Sequence, residues 1–349
     1  MQPILQEQAA KGVSGTETID TTSIAGLTGS TKWNSGTLAS NNKIYGLPWD
    51  ANNVLIIDSS SNTIDTTSIT VTAGSQKWVA GVLAPNGKIY GIPFSSTYVL
   101  IIDPTTNTVN TTSITGLTGT SKWTEGVLAP NGKIYGIPQN STSVIIIDPD
   151  TNTADTTSIT VSANTSKWDG GLLASNGKIY GIPQNSTSVI IIDPDTNTAD
   201  TTSITVSAGT NKWLGGVLAF DGKIYGMPRN STNVLIIDPS TNVVDTTSMT
   251  VLAGSDKWNH GIIAPNGKIY GMPMSTGILL IIDPSTNMVD TTTFASLPGT
   301  TYRWAGGVLA PNGKIYGIPS SNWEVLIIDP KSNGTWPSDL YFSPYFNKY

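Results

Sequence analysis

Cysteine is absent from the 349-residue chain, and histidine occurs once, at His260. The first absence excludes a disulfide framework, thiolate metal sites and a Cys nucleophile; the second leaves too few imidazoles for a zinc centre. Charge is also scarce. Asp, Glu, Lys and Arg make up 12% of the residues and the formal net charge is -6, so there is no basic footprint for nucleic acid. No run of about 18 apolar residues is present, and residues 1–15 lack the apolar stretch of a secretory leader. Membrane insertion and classical secretion therefore lose support. What is plentiful is turn-forming residues, 35 Gly and 21 Pro, with few of the long charged side chains that coat helices. An all-β chain without metal or cofactor is the expectation.

A basic residue followed by Trp recurs at Trp33, Trp78, Trp123, Trp168, Trp213, Trp258 and Trp304, at five intervals of 45 and a last of 46. Each pair leads into a strand-like GVLA, an Asn-Gly turn, Lys-Ile-Tyr-Gly-x-Pro, a variable stretch, an apolar run ending in Ile-Ile-Asp, and a Thr-rich segment. Seven such units cover residues 16–333, with a segment 1–15 before and an aromatic tail 334–349 after. In unit three, Gly126 to Ala129 and Lys133 to Ile137 read as strands joined by a two-residue Asn-Gly hairpin with positive φ values. Val144 to Ile147 and Thr153 to Ile159 follow, separated by an Asp-Pro turn. Four antiparallel strands per unit exclude a parallel β-solenoid and predict a seven-bladed β-propeller. Residues 16–23 match a fourth strand with no blade before it, while the last unit loses its own fourth strand. The N-terminal strand should therefore complete the last blade and hide two edges.

Through its Pro-Asn-Gly-Lys-Ile-Tyr-Gly pattern, this array resembles the broad superfamily of seven-bladed propellers, NHL-like blades among them. Its Trp-then-strand rhythm is similar to tachylectin-type lectin propellers, and it lacks the Trp-Asp signature of WD-repeat blades. Activities in that superfamily run from lectins and scaffolds to lyases and lactonases, so the resemblance implies the fold and leaves the activity open.

Comparing units separates scaffold from variation. The seven Trp read most simply as blade-to-blade packing, with sugar-stacking platforms as the other use of an amphipathic ring. Lysines opening the second strand and aspartates ending the third, such as Lys133 and Asp148, should pair across the sheet. Asp148-x-Asp150-x-Asn152 has calcium-like spacing, but the glycine and the distal bidentate Glu are missing, so no metal is expected. Two stretches vary: the pair after each Trp, and the loop after each second-strand proline. A meander puts both on one face, as when a rigid scaffold presents binding loops; drift in unconstrained loops would look alike. The candidate ligand-binding residues on that face are Trp49, Tyr98, Glu125, Asp169, Arg229, His260 and Trp323. Glu125, Asp169 and His260 should look into the central channel, and an imidazole beside carboxylates is a competent acid or base, yet no nucleophile motif, metal cluster or cofactor loop accompanies them.

The tail concentrates Trp336, Tyr341, Phe342, Tyr345, Phe346 and Tyr349, punctuated by Pro337 and Pro344. These rings should be buried either by folding back over the last blade or by docking on a partner, for which Trp336, Tyr341, Phe342, Tyr345 and Phe346 are the candidates. The expected function is a non-enzymatic binding or structural propeller on a larger assembly of viral, phage or cell-surface type, engaging a protein partner, a glycan, or both. A lectin propeller is the alternative and a propeller lyase or hydrolase the third reading.

Overall fold

A computed structural model describes residues 16–331. They form seven four-stranded antiparallel sheets and, among the described residues, no helix. The first strands touch their neighbours all the way round, the first blade meeting the seventh, which makes the ring of a seven-bladed β-propeller. Blade three shows the plan, with strands Trp123–Leu128, Ile134–Pro138, Ile145–Asp148 and Thr153–Asp155. Blade seven is completed from the other end of the chain, Thr18, Ile19 and Asp20 pairing with Asp329, Ile328 and Ile327. The closure expected from the phase of the repeat is present. The segment 1–15 and the aromatic residues from Trp336 onward lie outside the described residues.

Local chemistry departs from expectation in three places. The first strand begins at the Trp itself and carries a bulge before Gly126. The fourth strand is three residues long, because the Asp155 carboxylate accepts the amides of Thr157 and Ser158 at 2.7 and 3.2 Å and turns the chain. The hairpin has a three-residue loop: Ala129 N–H donates to Lys133 C=O and Gly132 N–H to Ala129 C=O, and within it only Gly132 has positive φ, +80°. Pro130 fixes the first turn position, Asn131 follows at negative φ, and glycine supplies the left-handed residue of a type I turn with a bulge.

The Trp residues settle between blades. Trp168 joins Ile179 and Ile190 of its own blade to Tyr135, Ile137 and Val144 of blade three, and its indole N–H donates to Ser188 C=O at 2.6 Å. All seven are buried, which removes them as stacking platforms. Truncating one to Ala should cost about 3–5 kcal/mol.

Two girdles bind the blades. On the face of the Asn-Gly turns, Asn131 Nδ2 donates to Tyr135 Oη at 3.0 Å and to Pro194 C=O of blade four at 3.1 Å. Tyr135 Oη donates to Asn197 Oδ1 at 2.8 Å. Most blades repeat this; in blade five Asp221 replaces the Asn and takes the Tyr225 hydroxyl at 2.9 Å. The expected cross-strand pairs form at Lys43–Asp58, Lys133–Asp148, Lys178–Asp193 and Lys314–Asp329, 3.2–3.9 Å. They are solvated and contribute about 0–1 kcal/mol each. Lys268 instead meets Glu17 at 2.8 Å, fastening the closing strand to blade six.

The second girdle lies on the opposite face and uses the basic residue before each Trp. Lys122 Nζ donates to the carbonyls of Phe94, Ser96 and Gly119 at 3.2, 2.8 and 2.9 Å, and Lys167 does the same to Gln139, Ser141 and Asn164. Arg303 reaches Pro298, Ser275 and Gly299. All seven cations are buried. Burial pushes the ammoniums of Lys32, Lys122, Lys167, Lys212 and Lys257 down to about 8, while the carbonyls favour keeping the proton.

Candidate ligand-binding site

The second girdle frames the mouth of the central channel. The residue after each second-strand proline is held by its own backbone: Gln139 N–H donates to Lys122 C=O at 2.8 Å, and Gln139 C=O accepts Lys167 N–H at 3.1 Å from the next blade. The same two bonds hold Trp49, Phe94, Gln184, Arg229, Met274 and Ser320. Position is set by main chain, so these side chains are free to differ.

Those seven residues line one cavity of about 320 Å³. Every residue that directly follows a repeat Trp lines it too: Asn34, Val79, Thr124, Asp169, Leu214, Asn259 and Ala305. Two concentric rings result, each drawing one residue from each blade. Their chemistry is segregated. Trp49 and Phe94 touch, ring centroids 4.7 Å apart, and Val79 continues that apolar arc. Across blades three to five stand Gln139, Gln184 and Arg229, the two amides bonded to each other at 3.1 Å.

The floor is built by absent side chains. At the position two after the Trp, blades three and six carry Glu125 and His260, and the blades between them carry Gly170 and Gly215. Both glycines have positive φ; a Cβ on Gly170 would lie 2.5 Å from Gly215 Cα, and one on Gly215 would lie 2.4 Å from His260 Cδ2. With that space open, His260 Nε2 approaches Glu125 Oε2 to 3.2 Å and Asp169 Oδ1 to 3.9 Å. Its Nδ1 faces Asn259 Oδ1. Burial opposes charge on the imidazole, but Glu125 and Asp169 outweigh it and raise the pKa of His260. Burial pushes the Asp169 carboxyl up to about 6, against the pull of His260 and Arg229.

Of the sequence candidates, Trp49, Asp169, Arg229 and His260 line the cavity, and Glu125 is buried behind His260. Trp323 is 61% exposed outside the lining. Tyr98 packs edge-on against Trp78, centroids 5.5 Å apart, in the core between blades. Phe94, Gln139, Gln184 and Met274 stand in the varied loops and were not singled out as candidates. Their signal was the register directly after the proline, which is the one that points inward in all seven blades.

A family described as a repeat of unknown function (DUF6923) matches residues 86–232. Matching solved structures share the ring. A streptogramin B lyase aligns over 89% of this chain and 97% of its own, with a TM-score of 0.74 at 11% identity. The chain is a seven-bladed β-propeller. Virginiamycin B lyase from Staphylococcus aureus gives a TM-score of 0.72 at 11% identity, over 90% of this propeller and 99% of that chain. Hydrazine synthase from Kuenenia stuttgartiensis gives 0.66 at 14% identity, over 87% and 97%. At these identities the likeness is one of fold alone. No curated protein matches the propeller in sequence.

Proposed function

We propose that the protein is a non-enzymatic binding propeller whose varied mouth receives one small ligand with an apolar side and a polar side. The observation that carries this reading is the convergence of the two variable registers of seven repeats on a single cavity, while the opposite face repeats the same turn chemistry. Its volume falls at the small end of ligand sites, about 300–1,000 Å³. An aromatic pair opposite amides and a guanidinium suits an amphipathic molecule; saccharides belong to that class, which keeps the lectin as a special case. The aromatic residues from Trp336 to Phe346 are proposed as the element that docks the ring on a protein partner in a larger assembly, and truncation after Gly334 should leave a folded ring that fails to join it.

The test is a ligand-observed NMR screen of fragments together with a glycan array. Hits should be lost in Trp49→Ala and Arg229→Ala and kept in Lys133→Ala and Asp148→Ala. The reverse pattern would place binding on the other face. Catalysis is the second reading, favoured by His260 standing between two carboxylates at the floor. Chemical conversion of a bound hit, abolished by His260→Ala with binding intact, would decide for it.

A further inference from the structure

Three carboxylates and two basic groups stand in and around the cavity, and the distances pair them unequally. His260 lies closer to Glu125, 3.2 Å against 3.9 Å to Asp169. Arg229 Nε donates to Asp256 Oδ1 at 2.6 Å, toward the rim. Asp169 has the loosest partner of the three, His260 Nε2 at 3.9 Å. Its side chain is 10% exposed, it faces the cavity, and no described residue donates a hydrogen bond to it. An ionised carboxylate so placed is costly without a donor. Its inner-ring neighbours offer it none: Thr124 Oγ1 donates to Trp168 C=O at 3.4 Å, and Leu214 on the other side has no polar side-chain atom. The arc in the same cavity is the Trp49–Phe94 pair, whose ring faces attract cations.

We propose that the funnel selects an organic amine, with the ammonium seated on Asp169 and the apolar substituent against Trp49 and Phe94. This rests on the ligand-binding reading and narrows it to one chemical class. A neutral hydroxyl would supply a donor and leave the charge uncompensated, whereas a carboxylate would meet Asp169 and Glu125 with like charge. The pH dependence follows from every charged group around the seat. Asp169 must be ionised, so binding weakens as pH falls through about 6. Protonated His260 opposes a second cation, so its loss of charge at higher pH acts in the same direction. Arg229 is held by Asp256 and Glu125 by His260, so neither reverses the trend.

The experiment titrates phenethylamine, phenethyl alcohol and 3-phenylpropionate into the full chain, following the Trp indole and His260 ring signals by NMR from pH 5 to 8. Wild type should bind the amine at least tenfold more tightly than either isostere at pH 7.5, lose that preference at pH 5, and lose it at all pH values in Asp169→Asn. Thermal melting checks the fold of Asp169→Asn, and the wild-type pH series stands even if that variant does not fold. Equal affinity for amine and alcohol, no binding of the amine, or an unchanged preference in Asp169→Asn overturns the proposal. If the isosteres bind as well as the amine and all depend on Trp49, the funnel reading survives and the amine falls; if no probe depends on Trp49, both fall.

Discussion

The two faces of the ring join the same blades by opposite means. On the uniform face the bonds between blades are made by side chains, Asn131 and Tyr135 reaching Pro194 and Asn197, so the residues there cannot change without losing the bond. At the mouth they are made by main chain and by one buried cation per blade, as Gln139 shows with Lys122 and Lys167. Because the joint is already made without it, the side chain at that register can be Trp, Phe, Gln, Arg, Met or Ser; where it does reach the next blade, as Gln139 to Gln184 and Arg229 to Asp256, it adds to a bond the main chain supplies in every blade. Where the scaffold depends on backbone, sequence is free to carry function.

The largest effect should come from breaking the ring, which both faces share. Deleting residues 1–24 removes the strand that pairs with Leu326–Asp329 and the Glu17–Lys268 contact, and a cooperative thermal transition should disappear. Next comes a contrast between two lysines of blade three. Lys122→Met strips a buried cation from three carbonyls and should cost about 3 kcal/mol in urea unfolding. Lys133→Met, on a half-exposed pair at 3.4 Å, should cost no more than about 1 kcal/mol. A similar loss at both would erase the distinction between the faces.

A smaller contrast sets Tyr135→Phe against Gln139→Ala. The first removes a buried hydroxyl that bridges blades and should cost about 1–2 kcal/mol; the second takes one amide from Gln184 Oε1 while the main-chain bonds of the same residue stay, and should cost less, about 0.5–1 kcal/mol. The smallest effect concerns acid. Hydrogen bonds from Ser and Thr hold Asp65, Asp155, Asp200 and Asp245 at about 2, below the model-peptide 3.8. A carboxyl lowered in the folded state stabilises above its unfolded value and loses that contribution as it is protonated. The melting temperature should therefore decline between about pH 4 and pH 2 and be flat over this cause above it. Asp155→Asn should make that decline slightly shallower.

Much of this was legible because the chain carries its own comparison. Seven copies of one unit revealed the blade, the closing strand and the two variable stretches, since a position that differs among copies on one scaffold stands out against those that do not. The buried lysine clamps were hidden, because their acceptors are carbonyls such as Phe94 C=O, which every residue type presents alike. The inward register was hidden for a related reason: nothing in the letters shows that Gln139 faces the channel and Tyr98 packs on Trp78, since both are polar-tipped residues of the equivalent loop in blades three and two. The meeting of Glu125 with His260 was half visible. Their shared register was in the sequence, but the reach across two blades depends on Gly170 and Gly215, whose lack of side chains makes the room.

The central claim is that main chain, not side chain, holds the outer ring of the mouth. It is tested most directly by one thermal melt of a variant in which Trp49, Arg229, Met274 and Ser320 are all changed to the Gln of blades three and four. The account predicts a single cooperative transition within a few degrees of wild type. Loss of that transition, or a ring that no longer folds, would mean that the varied side chains themselves hold the blades together, and the mouth would lose its standing as a surface free to bind.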